Sequence, residues 1–141
     1  MTAMHILHAG TLINARSSTV WDIITDAGNY TVWDSGITAI DGEVRNGGTI
    51  RIRTTADNRR YRLHVEQVPG EFMTWTRGLP LGLFKSVRTF TISSQAAMTH
   101  LRVTEESCGP LAGLIGNTVQ DADHSFADYV RAVKRRAELI G

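Results

Sequence analysis

Cysteine is almost absent: Cys108 is the only one in 141 residues. No disulfide can form within the chain, and a reducing compartment, the cytoplasm, is the expectation. An excess of charge of one sign is missing too. Fifteen Lys and Arg stand against fourteen Asp and Glu, a formal net charge of +1. That offers no general attraction to nucleic acid or to an anionic membrane. No apolar run approaches the ~20 residues that cross a bilayer, so no membrane insertion is expected. The opening MTAMHILHAG lacks the basic-then-apolar order of a signal peptide. Internal repeats, low-complexity tracts and linker-like breaks are absent. The expectation is one domain over residues 1–141. A chain of this length can bury roughly two-thirds of the surface its unfolded form exposes.

Constellations for catalysis are sparse as well. His5 and His8 are three apart on a strand, hence on opposite faces, which does not suit one metal. His64 and His100 alternate outward, and His124 has no second ligand at i+4. No metal and no cofactor is expected. Cys108 stands at the Gly109-Pro110 break with no histidine obviously beside it, which argues against a nucleophile. There is no P-loop and no dinucleotide fingerprint. Asn46-Gly47-Gly48 reads as a hairpin turn, not a phosphate cradle.

What the chain does have is pattern. Residues 4–14 read as a first strand. In the stretch that follows, Ser17 is a candidate N-cap, Val20, Ile23, Ile24 and Ala27 recur at helical spacing, and Asp22 suits the first turns. Gly28-Asn29 is expected to end this helix, and a further short helical turn to hold Tyr30 and Trp33. From residue 37 to 107 the period changes to two. Strands are expected at 37–43, 48–55, 60–68, 71–78, 83–93 and 98–107, with turn signals at Asn46-Gly47, Asp57-Asn58 and Pro69-Gly70. Connections this short make neighbours antiparallel. Beyond Gly109-Pro110, apolar residues recur at steps of three and four from Leu111 to Ile140, a long amphipathic helix. A sheet with one apolar face needs a cover, and this helix is the obvious one.

Alternation sorts most charges to the outer face, where the arginine-rich stretch 45–62 reads as solvated sheet surface. Arg88 and Glu105 are the exceptions. Phe84, Ser86, Arg88, Phe90 and Ile92 share one face, and that face is the apolar one. If 83–93 and 98–107 close around 94–97, Ser86 faces Glu105 and Arg88 lies diagonal to it, within reach of a long side chain. An unpaired buried charge costs several kcal/mol. Two readings compete: a structural ion pair at the core's edge, or polar groups lining an unfilled space between sheet and helix.

Residues 13–37, INARSSTVWDIITDAGNYTVWDSGI, resemble the opening of the START-like, or SRPBCC, superfamily. EFMTWTRG, LFKSVRTFTI and THLRVTEESCGPL are similar to its later runs, nearest to the polyketide cyclase/dehydrase and lipid-transport branch. Arg16, Asp34-Ser35, Ser86 and Arg88 depart from the usual Pro, Asn-Pro, Gly and His. The last change makes the polar spot permanently cationic. The resemblance implies an α+β helix-grip fold: a curved seven-stranded antiparallel sheet wrapped around a long C-terminal helix, with two short helices after the first strand. It implies a cavity for a small hydrophobic or aromatic ligand, lipid- or polyketide-like. It places Trp33, Trp75, Arg88, Phe90 and Glu105 near that cavity.

The residues add Tyr61, Phe84, Leu101 and Phe126 to the expected ligand-binding set. The first reading is a binding protein, monomeric or a homodimer, with Arg88 meeting an acidic or carbonyl group and Glu105 holding Arg88. The second is a cyclase- or dehydratase-type enzyme in which Arg88 stabilises an enolate and Tyr61 or Glu105 moves protons. The third is an interaction module resembling activators of heat-shock ATPases. The apolar stretch GLPLGLF at 78–84 is either a lip at the cavity mouth or a packed turn.

Overall fold

Period-two alternation over half the chain produces seven strands. The computed structural model describes residues 4–33, 35–54, 57–111 and 119–140, without the side chains of 4–5, 57–59 and 119–125. Strand β1 (Met4–Ile13) leads into helix α1 (Ser17–Thr25) and a 3-10 turn at Ala27–Asn29. Then come β2 (Ile37–Asp41), β3 (Thr49–Thr54), β4 (Asp57–Val68), β5 (Phe72–Leu79), β6 (Phe84–Gln95) and β7 (Met98–Cys108). Helix α2 (Val119–Ile140) follows. The sheet order is β1-β7-β6-β5-β4-β3-β2, antiparallel throughout. This is the expected helix-grip arrangement.

The core lies between the sheet's inner face and the two helices. Ile50, Ile52, Leu63, Val65, Met73, Trp75, Phe90, Ile92, Leu101 and Val103 meet Phe126, Tyr129, Val130, Val133 and Ala137 from α2. The helix residues repeat at three and four, which puts them on one stripe. Each large side chain buried here stabilises the fold by about 1.5–3 kcal/mol. Helix α1 adds Val20, Ile23 and Ile24.

Several local expectations are corrected. The N-cap of α1 is Arg16, in extended backbone with no side-chain cap, and Ser17 is already the first helical residue. The Arg16 carbonyl takes the first helical bond, from Val20 N–H at 3.2 Å, so the Ser17 hydroxyl is one position too late to cap. No acidic residue occupies the first turn, so Asp22 sits beyond it. The helix ends at Thr25, and Gly28-Asn29 belongs to the separate 3-10 turn. Asp57 and Asn58 are strand residues, with Thr54 paired to Asp57, and the connection falls on 55–56, outside the described residues. Leu111 lies in a turn, its N–H on the Leu83 carbonyl at 3.0 Å. The earlier part of the expected helix, 112–118, lies outside the described residues, as does the side chain of His124.

The β6–β7 register differs by two from the expected one. Arg88 pairs directly with Glu105, and Ser86 with Ser107. β6 runs further, to Gln95, and a two-residue turn at Ala96-Ala97 joins it to β7 at the expected Met98. A slip of two preserves the faces, so Arg88 and Glu105 still point inward.

Candidate functional site

Four neighbouring strands carry the site. Across one row, Trp75 of β5 opposes Arg88 of β6, Arg88 opposes Glu105 of β7, and Glu105 opposes Leu7 of β1. The next row holds Arg77, Ser86 and Ser107. All stand on the inner face by alternation.

Arg88 is not in bulk water: its side chain is 28% exposed and that of Glu105 16%. Nη2 of Arg88 lies 3.6 Å from Oε1 of Glu105. The guanidinium carbon also sits 4.8 Å from the ring centroid of Phe126, a cation–π contact made by α2. The arginine is therefore fixed from the strand beside it and from the helix above it.

Next to it is a cluster of rings. Trp75 meets Phe90 at 4.8 Å and Tyr30 at 5.9 Å, both edge-on. Tyr129 of α2 meets Phe90 and Trp33, each at 5.7 Å, and Trp33 meets Tyr30 at 5.3 Å. The hydroxyls of Tyr30 and Tyr129 are 3.0 Å apart. Tyr30 donates to the Ile24 carbonyl, which can only accept, so Tyr129 donates to Tyr30. Burial pushes both phenols' pKa up, while the charge of Arg88 pulls the other way. Both hydroxyls thus stay neutral.

Trp75, Phe84, Phe90, Leu101 and Phe126 are all buried. Leu101 lies along β7 opposite Ile92, further from the charged pair than Val103. Tyr61 is half-buried, with the Arg77 guanidinium 4.6 Å from its ring centroid and 5.1 Å from that of Phe84. The structure links Trp33, Trp75 and Phe90 through Tyr30 and Tyr129, joins Arg88 to Glu105 and Phe126, and sets Tyr61 and Phe84 around Arg77.

Sequence reasoning missed Arg77. The count that exposed Arg88, applied to Met73, Trp75 and Arg77, assigns it inward as well. It also missed the Tyr30–Tyr129 pair. The 78–84 segment is a 3-10 turn at Pro80–Gly82 beside Phe84, with Leu81 96% exposed at its tip and Leu79 and Leu83 partly so.

A second feature lies at the surface. A cleft of about 300 Å³ opens between α1 and the C-terminal end of α2, with Asp22, Asp26, Trp33 and Arg136 on its walls. Trp33 is thus shared between this cleft and the ring cluster. Among the described residues no three His, Cys, Asp or Glu side chains gather as a metal site, and no helix is long and apolar enough to cross a membrane.

The family described as polyketide cyclase / dehydrase and lipid transport matches residues 4–138. The chain belongs to that family. No curated protein matches it. Among solved structures, this polyketide cyclase/dehydrase family member is similar to the di-domain ARO/CYC StfQ from the steffimycin biosynthetic pathway. The TM-score is 0.77 at 14% identity, over 97% of this chain and 52% of that one. It is also similar to a protein of Thermus thermophilus, TTHA0849, with TM-score 0.74, 15% identity and coverage of 97% and 99%. A point mutant of norcoclaurine synthase from Thalictrum, in complex with a transition-state analogue, gives TM-score 0.66 at 11% identity, covering 97% and 96%. At such identities the likeness is one of fold, and the family member spans about half of StfQ.

Proposed function

We propose that the protein binds one small hydrophobic or aromatic molecule, lipid- or polyketide-like, between the sheet's inner face and α2. The ligand carries one acidic or enolisable carbonyl group. Arg88 supports this reading above all. It is a permanent cation on a face that also carries Trp75, Phe90 and aliphatic side chains, held by Glu105 and stacked on Phe126. A purely structural core gains nothing from such a pair, since apolar residues of similar volume pack as well or better. In the proposed complex Arg88 meets the ligand's charge, the rings of Trp33, Trp75, Phe84, Phe90 and Phe126 line it, Leu101 closes the deeper wall, and Tyr61 orients the outer end.

Native mass spectrometry of protein purified from its own host tests this directly. A retained small molecule of fixed mass is expected. Binding of naphthalene-2-carboxylate by calorimetry is the second arm, with Arg88→Met expected to weaken it at least about tenfold. No retained molecule, together with an Arg88→Met variant that binds as well as wild type, overturns the proposal.

A second reading is a cyclase- or dehydratase-type reaction at the same site. It draws on the closeness of a cation to a half-buried carboxylate: Arg88 stabilises an enolate and Glu105 or Tyr61 moves the proton. Product formation that vanishes in Arg88→Met while the fold persists favours it. Ligand-independent capture of a partner protein, abolished by outer-face changes, favours an interaction module instead.

A further inference from the structure

Trp75 carries a polar atom that the fold itself does not use. The residue is 1% exposed, and its indole Nε1–H has no hydrogen-bond partner among the described residues. Buried donors are almost always paired, and an orphan costs stability. The neighbouring groups do not relieve it. Tyr129 donates to Tyr30 and Tyr30 to the Ile24 carbonyl, and neither hydroxyl oxygen accepts from the indole. The rings of Phe90 and Tyr30 offer π faces, much weaker acceptors than oxygen. Glu105, the carboxylate in the same inward-facing row, lies across the Arg88 strand and is engaged by Arg88.

The ring contacts of Trp75 are of a kind phenylalanine also makes. The N–H is what tryptophan adds. Its place in the ladder is directly opposite Arg88 on the same inward face, where paired side chains leave the backbone about 4.5–5.5 Å apart at Cβ. One permanent cation and one unused neutral donor therefore start from adjacent positions.

We infer that the Trp75 indole N–H is a specificity-determining donor for the bound molecule, meeting a neutral acceptor oxygen that is distinct from the acidic group held by Arg88. The ligand class is then an apolar ring compound with two oxygen functions a few bonds apart, one anionic and one a carbonyl or ether. A molecule with the acid alone leaves the indole orphaned and binds less well. This rests on the binding site proposed above for Arg88.

Two bicyclic probes of similar size separate the roles. Naphthalene-2-carboxylate has the acid alone, and chromone-2-carboxylate has the acid, a ring carbonyl and a ring ether. The first measurement uses wild-type protein labelled with ¹⁵N-tryptophan, with the Trp75 indole signal identified by its contacts to Phe90 and Tyr30. Chromone-2-carboxylate is expected to move that N–H proton downfield, and naphthalene-2-carboxylate to leave it near its free position. The second measurement uses Trp75→Phe, which keeps a ring and removes the donor. Affinity for chromone-2-carboxylate is expected to fall about threefold to tenfold more than that for naphthalene-2-carboxylate, since the lost ring surface is common to both probes. If both probes bind through Arg88 but the indole signal ignores the carbonyl, and Trp75→Phe affects both equally, this inference is overturned and the Arg88 site stands. If neither probe binds, the Arg88 site itself fails and takes the inference with it.

Discussion

Arg88 and Glu105 stand directly opposite each other in the β6–β7 ladder, 3.6 Å apart, and both face the helix rather than the solvent. Partial burial sets the energetics. Removing the carboxylate leaves a cation with reduced hydration and no counter-charge. Glu105→Gln is expected to lower stability by about 1–3 kcal/mol, between the exposed and the fully buried limits. The double change Arg88→Met with Glu105→Leu is expected to recover that loss while abolishing binding of an acidic probe. Urea unfolding of the three proteins checks it. A double variant less stable than Glu105→Gln would mean that the pair is itself a major stabilising contact.

The tyrosine pair yields an order of effects. The Ile24 carbonyl lies in the last turn of α1, where helical carbonyls lack partners. Tyr30 supplies one across six residues. Tyr30→Phe orphans that carbonyl and also takes away the acceptor for Tyr129, an expected loss of about 1–3 kcal/mol. Tyr129→Phe removes one hydroxyl and leaves the Tyr30–Ile24 bond in place, so about 1 kcal/mol is expected. Equal losses in denaturant titrations would show that the two hydroxyls act as one unit.

The same pair predicts behaviour in alkali. An ordinary tyrosine ionises near 10.0, and burial raises both of these above it in the folded protein. Below pH 10 both states keep the proton and the contribution is complete. Above it the unfolded chain releases protons that the folded chain retains, so stability falls as pH rises. The slope reaches about 1.4 kcal/mol per pH unit for each tyrosine. Unfolding midpoints at pH 9, 10 and 11 are expected to drop more steeply for wild type than for the doubly substituted Tyr30→Phe, Tyr129→Phe protein. Parallel curves would contradict the burial of these hydroxyls.

Element order and facing were readable in the sequence because period two and period three-to-four patterns survive packing. Arg88 and Glu105 were visible as charges on the wrong face for the same reason. Register was not readable. The β6–β7 turn is Gln95-Ala96-Ala97-Met98, with Ala96 at φ 56°, and it carries no Gly, Asn or Asp to announce a two-residue hairpin. Ser17 looked like a cap by residue type, but the helix start is set one residue earlier by the chain's exit from β1. The Tyr30–Tyr129 bond joins residues 99 apart and depends on how α2 lies on the sheet. No local pattern encodes that.

Gly109 offers a test of what holds the 78–84 segment. Its φ is +109°, and a Cβ there would stand 2.5 Å from the Leu83 carbonyl oxygen and 2.9 Å from Cα of Phe84. Gly70 also has positive φ, at +78°, but faces open space. Gly70→Ala is therefore expected to cost about 1 kcal/mol from backbone strain alone. Gly109→Ala adds a steric clash and is expected to cost above about 2 kcal/mol. It should also speed amide exchange at Leu111, whose N–H is bonded to the same Leu83 carbonyl. Thermal unfolding and hydrogen exchange read both, and equal costs at the two sites would remove the argument for close approach.

At the other end, Glu138 ties α2 to β1 and sets a pH dependence of the opposite sign. Its Oε2 accepts from the Asn14 backbone N–H and from Lys134 Nζ, each at 2.8 Å, and Lys134 Nζ also donates to the Leu12 carbonyl at 2.7 Å. The hydrogen bond from Lys134, with that from Asn14, holds the carboxyl below its usual pKa of 4.5. A depressed folded pKa contributes stability above the unfolded value and loses it as pH falls through the folded one. Glu138→Gln is thus expected to lower the urea midpoint at pH 7 relative to wild type. That difference should narrow below pH 4.5 and close once the folded carboxyl takes its proton. Amide exchange at Asn14 should quicken in the variant at pH 7 and match wild type in acid. A difference that persists unchanged into acid would mean that the carboxylate's charge has no part in anchoring the helix.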